Sequence, residues 1–143
     1  AEFRFLQFGV PAALDHVYGY AVGNDLTRRD LQFQARDKGR PWEPGKAFDH
    51  SAAISDIHEV RRVGHPDHGR IWLSVNGQMR QQADVSQLIW GVPEIIAILS
   101  TYVRLAPGDL IYTGTPAGVG PLQRGDAVAG GIDGLDELRN TIR

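Results

Sequence analysis

Glycine and proline divide this chain into short segments, and this division restricts the possible fold more than any other sequence feature. The 143 residues include 17 glycines and 8 prolines, with no internal repeat and no low-complexity linker. Short apolar segments between frequent turn residues are typical of β-rich proteins, because strands are short and tight turns connect them. We therefore expect one α+β domain that is rich in strands and has only short helices.

A β-hairpin is predicted at Asn76-Gly77. In the segment before this turn, Ile71, Leu73 and Val75 alternate with polar residues, and the partner strand would return over 78–81. Asn-Gly is a preferred sequence for the tight turn between antiparallel strands, because both residues tolerate a positive φ. Alternation places one apolar face of the strand against a core.

Further strands are predicted on weaker signals. A second hairpin is expected near the C-terminus, with strands over 127–132 and 135–142 and a turn at Gly134. A strand over 14–22 would run into a turn, and 110–112 would form a short strand. Gly23 and Asn24 mark the end of the strand predicted over 14–22.

Two helices are predicted. Thr27 and Asp30 form an acidic variant of the capping box, which favours a helix over 28–38 that stops at Gly39. Pro93 suits the first turn of a second helix, since its missing N–H is not needed there. The apolar residues of that helix recur at helical spacing and are expected to share a core-facing side; they are Ile95, Ile96, Leu99, Tyr102 and Val103.

Charge and composition exclude several classes of protein. The formal net charge is −2, and the arginines are spread among acidic residues without the basic stripe of a nucleic-acid-binding surface. No apolar run approaches the roughly 20 residues that a membrane span requires, and the N-terminus lacks a signal-peptide pattern. The chain has no cysteine, which excludes a disulfide framework and a thiol nucleophile. We expect a cytoplasmic protein that binds neither nucleic acid nor membranes.

The candidate functional residues lie on two polar segments. The first leads into the first helix and carries Asp25, Arg28, Arg29 and Gln32, while the second is rich in glycine and proline and carries Lys46. This set suits a site for an anionic substrate, with or without a metal ion. Because consecutive helical residues point in different directions, Arg28 and Arg29 cannot both face one site.

Each candidate also has a purely structural explanation. Asp25 could bind backbone N–H groups at a turn or helix start, and Lys46 could be an exposed lysine beside a turn. The glycine-rich run 114–120 offers amides to an anion but lacks the lysine of a nucleotide-binding loop, so a tight buried turn explains it equally well. His65 and His68 lie in a loop that contains a proline, which makes them poor candidates for metal ligands. The residue types alone leave the chemistry open.

Four separated segments carry more specific information. They are Gly-Tyr-Ala-Val-Gly-Asn-Asp-Leu-Thr-Arg-Arg-Asp-Leu-Gln at 19–32, Lys-Ala-Phe-Asp at 46–49, Val-Asn-Gly-Gln-Met-Arg-Gln at 75–81, and Pro-Gly-Asp through Thr-Gly-Thr-Pro-Ala-Gly-Val-Gly at 107–120. In this order and spacing they resemble the fumarylacetoacetate hydrolase family, over nearly everything from Leu14 onwards. Within that family, the segments 28–32 and 40–52 are most similar to the fumarylpyruvate hydrolases of gentisate breakdown.

The resemblance implies a mixed β-sandwich roll with short helices that is usually a homodimer. Family members hold Mg²⁺ or Mn²⁺ on three carboxylates and cleave a C–C bond in a 2,4-diketo acid, and such an ion stabilises the leaving enolate. By this resemblance Asp25 would be the third metal ligand, and Lys46 would be the catalytic residue that neutralises charge near the metal. Arg29, Gln32, Lys46 and Thr115 would bind the substrate.

The beginning of the chain departs from the family pattern. Members carry an upstream His and Glu that activate water, and a Glu-x-Glu pair that supplies the first two metal ligands. Glu2-Phe3-Arg4 is the nearest approach to that pair, and its arginine would oppose metal binding. We therefore divide the chain into an N-terminal remnant, 1–13, and an incomplete fumarylacetoacetate hydrolase-like catalytic domain, 14–143.

Two classes of function remain open from the sequence. The first is metal-dependent hydrolysis of an acylpyruvate, with fumarylpyruvate, split to fumarate and pyruvate in the breakdown of aromatic compounds, as the best single choice. Isomerases and decarboxylases of related keto acids are its neighbours. The second is a truncated, non-catalytic homologue that acts as a binding or interaction domain. The missing carboxylate pair is the sequence feature that discriminates between these two classes.

The segment Leu88-Ile89-Trp90 offers a possible contact between subunits. An exposed Trp90 is large enough to anchor a dimer interface, whereas a Trp90 packed into the monomer core would have no such role. We expect a homodimer.

Overall fold

Antiparallel strands in three separate sheets form the framework of the protein. The structure, a computed structural model, describes residues 7–143, so Glu2-Phe3-Arg4 lies outside the described residues. The strands are β1 (Gly19–Tyr20), β2 (Gly23–Asp25), β3 (Ala52–Ile54), β4 (His58–Glu59), β5 (Arg70–Val75), β6 (Gln78–Asp84), β7 (Ala127–Ile132) and β8 (Leu138–Thr141). The α-helices are α1 (Val10–Ala13), α2 (Arg29–Asp37), α3 (Glu43–Lys46), α4 (Val60–Val63) and α5 (Val92–Tyr102).

The largest sheet has four strands in the order β6-β5-β7-β8. Both predicted hairpins are confirmed in it, because β5 pairs with β6 and β7 with β8. Asn76 and Gly77 have φ values of 51° and 77°, and Gly134 has a φ of 86°. These are the left-handed conformations that tight hairpin turns require and that asparagine and glycine adopt most easily.

A bulge interrupts the edge strand β6. Leu73 pairs with Gln81 and Ser74 pairs with Met79, which leaves Arg80 without a partner on β5. An extra residue of this kind bends a strand and changes the direction of the groups around it. No sequence pattern predicts this bulge.

The two small sheets share no strand pairing with the four-stranded sheet. β1 pairs with β4, and β2 pairs with β3, both antiparallel. The strand predicted over 14–22 is largely wrong, since Leu14–His16 is a single turn of 3₁₀ helix. The preceding helix α1, with proline in its first turn, continues into this turn, so the chain becomes extended only later.

Both predicted helices are present as α2 and α5. The capping box at the start of α2 is wrong, because no side chain caps this helix and the N-cap residue is Arg28. In α5, Ile96 and Ser100 are buried, and the Ser100 Oγ accepts a hydrogen bond from the Phe8 backbone N–H at 3.0 Å. The predicted core face fails at its C-terminal end, where Tyr102 is 75% exposed, because α5 ends there.

The apolar core of the described residues is small. Its buried hydrophobic residues are Ala13, Val22, Val75, Ile96 and Val128. The accessible surface is 10326 Å², whereas a compact monomer of 15.7 kDa would expose roughly 7,300 Å². The predicted strand at 110–112 is wrong, because this segment belongs to no strand among the described residues. No described helix has the length and apolarity to cross a membrane.

Candidate active site

The Asp25 carboxylate and the Lys46 ammonium group meet at the end of strand β2. The Lys46 Nζ donates hydrogen bonds to Asp25 Oδ2 at 2.5 Å and to Thr27 Oγ1 at 3.1 Å. The two charged side chains are 34% and 43% exposed for Lys46 and Asp25, so solvent and small ligands reach the pair. The structure thus brings together two residues that the family resemblance selected, although 21 positions separate them in the sequence.

Backbone contacts fix the position of Asp25. It is the last residue of β2 and lies opposite Ala52 on β3. The next residue, Leu26, donates its backbone N–H to the Ser51 carbonyl at 2.8 Å, which continues the pairing past the strand end. Asp25 thus lies where the strand passes into a loop, and functional side chains often lie on loops that a rigid framework positions.

Close packing of helix α3 on helix α2 fixes the position of Lys46. Gly45 is buried, and a Cβ added there would lie 2.9 Å from the Gln32 backbone nitrogen and 3.1 Å from the Arg28 carbonyl oxygen. The Gly45 carbonyl also accepts a hydrogen bond from the Arg28 N–H at 2.9 Å. Only glycine allows this approach without displacing backbone, and Lys46 follows it directly.

The two neighbouring arginines have different contacts. The Arg28 guanidinium carbon lies 4.3 Å from the centre of the Phe48 ring, where cation and aromatic face attract each other. Arg29 instead donates a hydrogen bond from Nη1 to Gln32 Oε1 at 2.5 Å, one helical turn away. This agrees with the expectation that the two do not share a direction. Arg29 and Gln32 form one polar pair on the exposed side of α2.

Tyr112 is a residue of the site that sequence reasoning missed. Its ring lies against β2, since a Cβ at Gly23 would be 2.6 Å from Tyr112 Cε1, and its hydroxyl donates to the Ala53 carbonyl at 3.3 Å. Partial burial, and secondarily the negative charge of Asp25, raise the pKa of the Tyr112 phenol. The ring thereby fixes the chain that leads to Thr115 against the Asp25-bearing strand pair. No local pattern could reveal a contact between residues so distant in sequence.

The loop histidines have partners of their own. Tyr20 Oη and His65 Nδ1 lie 2.8 Å apart, and His68 Nδ1 lies 2.5 Å from Asp67 Oδ1. The Asp67 carboxylate, through this hydrogen bond and its charge, raises the pKa of His68. These contacts bind the loop together away from the Asp25 cluster.

The type of ligand at Asp25 suits a hard divalent cation, but the number of described ligands there is too small. A carboxylate is the ligand that Mg²⁺ and Mn²⁺ prefer, and Lys46 and Thr27 are the groups that contact or neighbour it. Within residues 7–143, however, no three His, Asp or Glu side chains are close enough to hold an ion together. No described group of three such side chains therefore surrounds an ion at Asp25, and a bound ion would need further oxygen ligands.

The fold and the site together define an α+β protein in which a lysine and a carboxylate pair at the end of a strand. The model of the fumarylacetoacetate hydrolase C-terminal family matches residues 7–143, so this chain belongs to that family. It is 52% identical over 126 residues to a fumarylpyruvate hydrolase of Ralstonia sp, a match that covers 88% of this chain and 65% of the relative. It is 41% identical over 132 residues to the mitochondrial oxaloacetate tautomerase FAHD1 of Mus musculus, covering 92% and 60%.

A solved structure agrees with this assignment. The crystal structure of fumarylpyruvate hydrolase from Pseudomonas aeruginosa, in complex with Mn²⁺ and pyruvate, superposes with a TM-score of 0.93 at 52% identity. The match covers 94% of this chain and 58% of that chain. The chain thus spans less than two thirds of the length of the relatives named here. The family and the roll-type α+β fold inferred from the sequence are confirmed.

Proposed function

We propose that this protein hydrolyses a C–C bond in an acylpyruvate with the help of Mg²⁺ or Mn²⁺, and that fumarylpyruvate is its substrate. One observation carries the proposal: Lys46 is held by Asp25 and Thr27 in a chain that is 52% identical to a fumarylpyruvate hydrolase. The reaction adds water across the bond and releases fumarate and pyruvate. We place it in the breakdown of aromatic compounds, in the cytoplasm.

The charges around the site fit a substrate with two carboxylates. Arg29, oriented by Gln32, offers a guanidinium group one side of which remains available to a carboxylate, and such pairs can be bidentate. Lys46 supplies a second positive charge, held in place from two sides. Thr115, exposed beyond Tyr112, would donate its hydroxyl to a substrate oxygen.

Asp25 is the residue of this chain that would hold the metal ion. When bound, such an ion withdraws charge from chelating carboxylate and keto oxygens, which stabilises a departing enolate. In that state Lys46 would offset negative charge on the substrate beside the Asp25 carboxylate. Fixed charges of this kind act strongly because they are oriented before the reaction begins.

The direct test is an assay with fumarylpyruvate. We expect its enol absorbance to fall in the presence of Mg²⁺ or Mn²⁺, with stoichiometric release of pyruvate, and we expect a chelator to stop the reaction. Absence of pyruvate release under saturating metal would contradict the proposal.

A keto-acid tautomerase is the second candidate, because the mouse relative that carries this activity is 41% identical over most of this chain. Both reactions involve an enolate next to a carboxylate, so the same charged groups would serve either. The assay separates them: a tautomerase changes the absorbance of oxaloacetate without releasing pyruvate from fumarylpyruvate. Ligand binding without either reaction would indicate the non-catalytic binding domain considered from the sequence.

We also propose that the protein is a homodimer. Ile89 is 95% exposed and Trp90 is 49% exposed, so the alternative of a Trp90 packed in the monomer core does not describe this structure. These two adjacent exposed apolar side chains support the proposal, since contiguous exposed apolar surface is typical of interaction sites.

A further inference from the structure

The glycine-rich loop, residues 114–120, lacks backbone–backbone hydrogen bonds to the rest of the described chain. Across 110–122, no backbone group of the described chain forms a backbone–backbone hydrogen bond. A segment without such bonds is held in one conformation only if side chains or close packing hold it. Thr115 lies in this loop, so whatever holds the loop also sets the position of the Thr115 hydroxyl.

Strand β6 holds the loop through one side chain. Gln81 is only 8% exposed, and its Nε2 donates a hydrogen bond to the Pro116 carbonyl at 2.7 Å. Pro116 directly follows Thr115. A buried amide that loses its partner is left unsatisfied, so this hydrogen bond opposes any movement of the loop away from the sheet.

A second contact lies two residues further along the loop. A Cβ added at Gly118 would lie 2.2 Å from the Arg80 carbonyl oxygen and 3.4 Å from Gln81 Cγ. Gly118 has a φ of 102°, a conformation that residues with side chains rarely adopt. The backbone of the loop therefore rests directly on the backbone of β6 at Arg80.

The bulge in β6 explains why neighbouring residues serve the same loop. In a regular strand, successive residues point to opposite faces of the sheet. Arg80 is the extra residue without a partner on β5, and the bulge leaves its carbonyl free to meet the loop beside the Gln81 side chain. Bulges at sheet edges commonly redirect groups in this way near functional sites.

We propose that Gln81 is a positioning residue that docks the glycine-rich loop and so places Thr115 to contact the substrate. This inference rests on the proposed function of Thr115, but the docking itself does not. Gln81 touches neither substrate nor metal in this proposal; it acts through the Pro116 carbonyl next to Thr115.

Loop order provides the first test. In Gln81→Leu, the backbone order parameters of Gly114, Gly118 and Gly120, measured by ¹⁵N relaxation, should fall from about 0.85 to below about 0.6. Gln82→Leu is the matched control, because Gln82 is the exposed neighbour on the same strand, and it should leave them unchanged. Unchanged order parameters in folded Gln81→Leu would overturn the proposal. If that variant does not fold, Gly118→Ala removes the close approach from the loop side and should produce the same increase in motion, and a rigid loop in it would overturn the proposal instead.

A double-mutant cycle with Thr115 provides the second test. Gln81→Leu and Thr115→Val should each lower kcat/KM for fumarylpyruvate about tenfold. The double variant should lose little more than either one, because both substitutions abolish the contact between the Thr115 hydroxyl and the substrate. Additive losses would overturn the proposal, since a general loss of stability does not depend on Thr115. If the unsubstituted protein turns over no acylpyruvate, the proposed function fails, and the order parameters alone decide whether Gln81 docks the loop.

Discussion

At the scale of single residues, Lys46 carries the most direct prediction. Replacing it with methionine keeps an unbranched side chain that is one atom shorter and removes the charge that lies against Asp25 and Thr27. We expect kcat for fumarylpyruvate to fall about a hundredfold or more, the usual effect of removing one oriented charge from a site. The melting temperature should change little, because the side chain is partly exposed and packs in no apolar core.

The chain offers a matched control for this substitution. Its one other lysine is Lys38, which is exposed just beyond α2. Lys38→Met removes the same charge from the molecule and should leave kcat unchanged. An unaltered rate in Lys46→Met would remove Lys46 from the site.

The residues around Lys46 show what the sequence could and could not predict. The family motifs selected Asp25 and Lys46, and the structure brings them into contact. The motif reasoning misassigned Thr27 to a helix cap, although its hydroxyl accepts a hydrogen bond from Lys46 instead. Tyr112 could not be predicted as a site residue, because its contact with Gly23 depends on tertiary packing that no local pattern encodes.

At the scale of secondary-structure elements, the contact between α2 and α3 is the most sensitive one. In Gly45→Ala the added methyl group would meet the Gln32 nitrogen and the Arg28 carbonyl, which are backbone atoms that cannot turn aside. Helix α3 must then shift away from α2, and Lys46 shifts with it. We expect a loss of about 1–3 kcal/mol in the free energy of unfolding, measured by chemical denaturation, together with a fall in kcat/KM.

Gly9→Ala serves as the control for the extra methyl group. Its Cβ would have only an ordinary contact with Pro11 at 3.7 Å, and its φ of −73° suits any residue. This variant should match the unsubstituted protein in stability and activity. A Gly45→Ala protein with unchanged stability and activity would show that α3 does not need the close approach.

Elements that depend on local sequence could be predicted, whereas a strand that depends on a distant partner could not. The hairpin at Asn76-Gly77 and helix α5 depend on local turn chemistry and periodicity, and both were predicted correctly. The segment 110–112 has strand-like composition but finds no partner among the described residues. A strand is defined by its pairing, so composition alone cannot establish it.

At the scale of the whole molecule, the exposed segment around Trp90 predicts self-association. Ile89→Asp places a charge on the most exposed large hydrophobic residue of this segment. If Leu88-Ile89-Trp90 lies in a dimer interface, the variant should sediment as a monomer at micromolar concentration while the unsubstituted protein sediments as a dimer, because an unpaired charge in an interface is strongly unfavourable. Gln34→Asp adds the same charge at another exposed position and should remain dimeric. A monomeric unsubstituted protein would contradict the proposed dimer.

The 143-residue chain is expected to bind divalent metal ions only weakly. Asp25 lies in no described group of three His, Asp or Glu side chains, and the Lys46 ammonium group contacts its carboxylate. A divalent ion such as Mn²⁺ requires several oxygen ligands, so one carboxylate that an ammonium group also contacts holds it weakly. Titration calorimetry of this chain with Mn²⁺ should therefore show no binding at micromolar affinity, and Asp25→Ala should behave in the same way. Micromolar binding that Asp25→Ala abolishes would show that Asp25 belongs to a complete metal site in this chain. Because further oxygen ligands must complete the coordination around Asp25, turnover of fumarylpyruvate should require Mg²⁺ or Mn²⁺ far above micromolar concentration.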